Sequence, residues 1–234
     1  MKKFRNPFKD LTKFEWGLWS TSILVVTLSF LLPEEKEYLN FIASLIGVTA
    51  LIFVAKGYVI GLLLCIVFAL IYGIISIHFK YYGEMITYVF MSLPMSIVST
   101  IAWLKNPHKD TKEVKVGNPT KKQFAVMWAL TVVVTFIFYF ILKAFNTENL
   151  LVSTLSVATS FLAVYLTALR CPLYACAYAL NDVVLIVLWV LASISNISYL
   201  PMVFCFIMFL ANDLYGFINW KKMQKRQSEE NALS

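Results

Sequence analysis

Apolar residues fall into eight blocks along the chain, each long enough to cross the hydrocarbon core of a bilayer and each bounded by short polar breaks. The blocks occupy 16–32, 38–55, 58–78, 84–104, 124–143, 148–169, 171–193 and 197–219. Pro33 and the acidic run Glu34-Glu35-Lys36-Glu37 end the first, Lys56-Gly57 divides the second from the third, and Lys80-Tyr81-Tyr82-Gly83 the third from the fourth. Pro172 and Pro201 sit in the first turn of the block that follows, where a missing backbone N–H leaves no helical bond unmade. The pattern predicts an all-α membrane protein of eight transmembrane helices. A basic stretch precedes the first block, as in a secretory leader. The block is too long for one, and no small-x-small cleavage site follows, so it counts as a span.

Charge supports the same count. The chain is 60% hydrophobic and 14% charged, against about a quarter charged in ordinary soluble domains, and its net charge is +7. With eight alternating helices, seventeen of the twenty Lys and Arg lie on one side: the N-terminal tail, Lys56, the 105–123 loop, Arg170 and the C-terminal tail. Lys36, Lys80 and Lys143 lie on the other. This asymmetry places both termini in the cytoplasm, in a multi-pass inner or plasma membrane protein. The basic excess therefore reads as topology, not as a nucleic-acid surface.

A repeat runs through the blocks. Blocks two to four lead from Ser44 through Lys56 to Trp103 and Lys105, and blocks six to eight from Thr154 through Arg170 to Trp220 and Lys221. One helix joins the halves, so they run parallel in a 3+1+3 plan, with the first helix as an accessory. Parallel three-helix repeats bind substrate near the midplane between the halves. The expected divisions are a tail and accessory helix at 1–37, a first repeat at 38–105, a loop and linker helix at 106–147, a second repeat at 148–226, and a tail at 227–234.

No catalytic pattern appears. GxxxxGK[ST], HExxH and GxSxG are absent, His78 and His108 have no partner motif, and Cys65, Cys171, Cys176 and Cys205 lie in or beside apolar blocks without metal-ligand spacing. No enzyme, cofactor or metal is expected. The informative signal is polarity inside the spans. Tyr174, Tyr178, Asn181 and Asp182 follow one another at helical spacing on one face of 171–193. A carboxylate at the centre of a lipid-facing helix costs at least ~2.5 kcal/mol, so Asp182 should face protein or water. Two tyrosines leading to an Asn-Asp pair suit a flat, polar, aromatic ligand. The last block carries Asn212, Asp213, Tyr215 and Asn219. Block 84–104 carries Glu84, Thr87, Tyr88, Ser92, Ser96 and Ser99, with Pro94 expected to kink it. The competing readings are packing for the serines, hydrogen-bond glue for Asn212-Asp213, and interfacial anchoring for Trp103 and Trp220.

The three-one-three plan, the stretch YGEMITYVF (82–90) and the ending ANDLYGFINWKK (211–222) resemble the PnuC family of nicotinamide riboside and vitamin transporters, relatives of the SWEET sugar carriers. The resemblance covers about 38–226. It implies a WxxWxxxN substrate pattern whose three positions fall here on Ala175, Tyr178 and Asp182, so one stacking ring is absent and the amide is an acid. It also implies facilitated-diffusion uptake of nicotinamide riboside or a similar nucleoside-like vitamin, trapped by cytoplasmic phosphorylation. Deoxynucleosides and thiamine are the alternative cargoes. Proton symport through Asp182 or Asp213, a binding subunit of a larger importer, and a membrane enzyme are the alternative classes. The expected site is Tyr178, Asp182, Asn181, Tyr174, Asn212, Asp213, Tyr88, Thr87 and Ser92. The expected partners are a small-molecule substrate and membrane lipid; the pattern is also compatible with a homo-oligomer.

Overall fold

The computed structural model describes residues 6–34, 38–78, 85–109 and 111–232. Glu84, Lys36 and the whole of the third break, Lys80 included, lie outside them, and so does the side chain of His78. The described residues form helices α1 (Lys13–Leu31), α2 (Tyr38–Ala55), α3 (Val59–His78), α4 (Thr87–Leu104), α5 (Lys121–Ala144), α6 (Leu150–Ala168), α7 (Leu173–Ser195) and α8 (Leu200–Ala232), with no strand beyond two isolated bridges. Seven of these helices are long and apolar enough to cross a membrane, and α3 adds a shorter apolar stretch, Val59–Ile75. Capping boxes start two of them: Thr12 with Glu15 on α1, and Thr120 with Gln123 on α5.

The helices α2, α3, α4, α6, α7 and α8 pack around a common interior, α5 lies against α6, and α1 lies against α2 and α8. The outer face of α5 stays exposed at Trp128, Val132, Phe136 and Phe140, as a lipid-facing helix requires. The first helix is more than an accessory laid alongside. Its Glu15, 1% exposed, pairs with Lys56 Nζ at 2.9 Å and accepts from the Tyr215 hydroxyl at 2.7 Å. Trp19 Nε1 donates to Thr49, and Asn212 Nδ2 to Ser22.

The ends of α2 and α6 are alike. In each, two backbone N–H groups turn back on the helix: Gly57 to Val54 and Tyr58 to Phe53, then Arg170 to Thr167 and Cys171 to Leu166, at 2.9–3.0 Å. This is the Schellman closure, which requires a left-handed residue. Gly57 takes it at φ 68°, Arg170 at φ 58°. The loop after α4 crosses both turns. Val114 N–H donates to Gly57 O, and Gly117 N–H to Arg170 O, each at 2.9 Å.

The largest departure from expectation lies next to this loop. The last helix does not stop at 219 but continues to Ala232, because its charged end has a partner. Gln227 accepts from Val116 N–H at 2.8 Å and donates to Val114 O at 3.1 Å. Arg226 pairs with Glu113, and Gln224 donates to Asn118. His108, without a partner motif in the sequence, is 5% exposed and sits 3.1 Å from Glu230. The Lys109 ammonium and the His108 ring hold the Glu230 carboxyl below the usual carboxylate range.

A non-glycine residue in the left-handed region carries about 1–2 kcal/mol of strain. Gly57→Ala is therefore expected to lower the thermal unfolding midpoint in detergent. Its new Cβ would also meet Met223 Cε at 3.0 Å. Arg170→Gly should raise the midpoint, by less, since the freer unfolded chain offsets part of the relief.

Candidate functional site

Six helices enclose a cavity of about 100 Å³ near the middle of the bundle. From α7 it is lined by Tyr178, Asn181 and Asp182, and from α8 by Asp213 with Phe206 and Phe209. Ser92, Ser96 and Ser99 of α4 form one wall with Tyr88, while α6 adds Ser160 and Thr167 and α3 adds Cys65 and Phe68. The serines reach it together because spacings of four and three residues share one helix face. The break expected at Pro94 takes the form of a π turn over Thr87–Ser92. Proline offers no N–H to the carbonyl four residues before it and crowds that carbonyl, so the helix widens just upstream. Tyr88 and Ser92 enter the cavity from that turn. The Tyr88 ring lies 4.4 Å from Tyr72 and 6.0 Å from Phe68.

On α7, Asn181 is fixed by the α6 hydroxyls, its Oδ1 2.8 Å from Thr159 Oγ1 and 3.0 Å from Ser160 Oγ. Tyr178 meets Tyr174 edge to face at 6.1 Å. Asp182 and Asp213 are 2% and 4% exposed. Their carboxyls lie within hydrogen-bonding reach of each other across the α7–α8 contact, and no N–H or hydroxyl among the described residues reaches Asp182 Oδ2. Among the described residues, no Lys, Arg or His lines the cavity.

Three of the expected residues are not in its walls. Tyr174 is fully buried on the side of the charge-rich ends, its hydroxyl 3.4 Å from Val54 O and its ring 5.0 Å from Trp220. Asn212 turns to Ser22 and to Met208 O, away from the cavity. The same helix face directs Tyr215 to Glu15, and Asn219 donates to Ala55 O. One residue of helix is about 100° of rotation, which is why Asp213 and not Asn212 lines the site. Thr87 is buried in the π turn.

Trp103 and Trp220, expected at the interface, are instead 1% and 0% exposed. Their rings meet at 5.2 Å, with Nε1 donating to Thr167 O and Val54 O at 2.9 Å. With Tyr174 they form an aromatic layer between the cavity and the charge-rich ends. The expected repeat, which would bring the two indoles to matching places, was the available signal for that layer. Cys65, Phe68, Phe209 and Thr167 gave none, since their positions read as ordinary core.

Comparison with known proteins agrees with this architecture. A nicotinamide riboside transporter PnuC of Neisseria mucosa is 28% identical over 229 residues, covering 96% of this chain and 87% of that one. The protein of the same name from Haemophilus influenzae is 22% identical over 211 residues, covering 89% and 90%. A crystal structure of the vitamin B3 transporter PnuC superposes with a TM-score of 0.79 at 26% identity, over 93% of this chain and 94% of that one. All three are named as transporters. The family model described as nicotinamide mononucleotide transporter matches residues 37–222, well over half of the sequence, and this chain is a member of that PnuC-type family.

Proposed function

We propose that this protein carries nicotinamide riboside, or a closely similar nucleoside-like vitamin, into the cytoplasm down its gradient, and that phosphorylation by a cytoplasmic kinase then traps the cargo. The observation that carries this reading is a cavity in the interior of the bundle with an aromatic ring and carboxyl groups in its walls. The names borne by the Neisseria and Haemophilus relatives point to the same cargo. Tyr178 offers a ring face to the flat, positively charged nicotinamide, an arrangement worth about 0.5–2 kcal/mol for a cation over an aromatic face. Asp182, Asp213, Asn181 and the α4 serines serve the amide and sugar hydroxyls. Ala175, at the first position of the family's WxxWxxxN pattern, is 0% exposed, so of the pattern's two ring positions only Tyr178 can stack.

The transport cycle in this reading is a rocking of two three-helix repeats, 38–105 and 148–226, joined through 106–147. Three features support it: the matched turns at Gly57 and Arg170, the loop donors that reach both, and the meeting of Trp103 with Trp220. Both termini are on the cytoplasmic side, which carries seventeen of the twenty basic residues. The layer of Trp103, Trp220 and Tyr174 is then the inner barrier, and it must part for the cargo to leave.

Purified protein in liposomes should equilibrate radiolabelled nicotinamide riboside without accumulating it, and an imposed pH gradient should not change the end point. Uptake equal to that of empty vesicles, with thymidine or thiamine entering instead, would reassign the cargo. Tyr178→Ala should weaken nicotinamide riboside affinity by about 10–100-fold, in line with the ~1–3 kcal/mol lost per stacked base. Tyr178→Phe, which keeps the ring, should lose far less; equal losses in titration calorimetry would mean that the hydroxyl, not the face, makes the contact.

A further inference from the structure

The protein treats its buried acids in two ways. Glu15, 1% exposed, is given a cation, Lys56, and two donors, the Tyr215 hydroxyl and the Thr12 N–H. Asp182 and Asp213 are about as deeply buried and are given neither. The other titratable groups facing the pair are Cys65 from α3, Tyr174 and Tyr178 from α7, and Cys205 from α8, none of which carries positive charge. What reaches the Asp182 carboxyl is the carboxyl of Asp213.

Two carboxylates only accept hydrogen bonds, so a bond between two carboxyl groups needs a proton on one of them. Like charges at that distance also cannot both persist away from water. One shared proton leaves the pair with one negative charge. Among the described residues, no Lys, Arg or His shares the cavity wall with that charge, and an uncompensated ion there is costly. Asp182 Oδ2, buried and reached by no donor, is the atom left for a ligand to satisfy.

We infer that Asp182 and Asp213 act as one singly charged unit sharing a proton, and that this unit selects flat ligands bearing one positive charge over neutral nucleosides of the same shape. The inference rests on the reading of this cavity as the substrate site. It deepens that reading by naming the property of the cargo that is recognised: its charge, beyond its sugar or its ring. When such a cation enters, its charge balances that of the pair. No proton is taken up or released, in keeping with transport that needs no coupling ion.

The test compares nicotinamide riboside with its reduced dihydropyridine form, which has nearly the same shape and no charge. Binding to detergent-purified protein would be measured by titration calorimetry in wild type, Asp182→Asn, Asp213→Asn and the double variant. Wild type should favour the cation by about 100-fold. Each single variant should keep a reduced preference, about tenfold, because the remaining carboxyl, no longer sharing a proton, holds the charge; 1.4 kcal/mol corresponds to each tenfold step. The double variant should show none. A preference that survives the double substitution, or one that a single substitution abolishes, would overturn the paired unit.

Infrared spectroscopy supplies a readout that does not depend on ligand. The wild type should show the carbonyl band of a protonated carboxyl, lost in either single variant, and its absence from the folded wild type would end the proposal. Thiamine, another monocation with a flat aromatic ring, and thymidine, which is neutral, separate this inference from the choice of cargo. Thiamine binding with the same dependence on the pair, where nicotinamide riboside does not bind, would sink the cargo and support the pair. Thymidine bound best, and undiminished in the double variant, would sink the pair.

Discussion

Away from water, every polar group must find its partner inside the protein or in what the protein binds. That constraint orders this molecule. Where chain geometry allows an internal answer, it is taken: Glu15 finds Lys56, the tryptophan N–H groups find the carbonyls of Thr167 and Val54, and the helix ends at Gly57 and Arg170 fold back on themselves. At the Asp182–Asp213 pair, on the cavity wall, the internal answer is incomplete. Burial that deep without a cation costs stability, and the cavity beside it gives that cost a use.

The sequence made the spans readable because hydrophobic run length is a local property. The second helix begins and ends at the expected residues, 38 and 55, and apart from the end of α8 the others differ by a few residues at their ends. The end of α8 was hidden for a physical reason. Lys221 to Glu230 has the composition of a solvated tail, and only contact with the loop after α4, distant in sequence, makes it an ordered helix.

The site was legible to the resolution of a helix face and no finer. Tyr178, Asn181, Asp182, Asp213, Tyr88 and Ser92 lie in the cavity walls, since an ionisable or aromatic residue in an apolar run stands out against its surroundings. Asn212 stands out equally, but it is one step of rotation away and meets α1. That helix appeared incidental to the repeat, and its hydrogen bonds could not be anticipated from spacing. Trp103 and Trp220 show the same limit: indole near a helix end suits the membrane interface and a buried layer alike, and only the convergence of five helices decides between them.

The strap formed by Val114, Val116 and Gly117 has a further consequence. It joins the closing turns of α2 and α6 with two backbone bonds, and it is held in place by a side chain 111 positions further along, at Gln227. Residues 221–232 would be an obvious stretch to trim or to fuse to another sequence, yet shortening them would strip Val114 O and Val116 N–H of their partners and loosen the girdle at the opposite end of the chain's connectivity. What looks like a dispensable appendage is the buckle of that girdle.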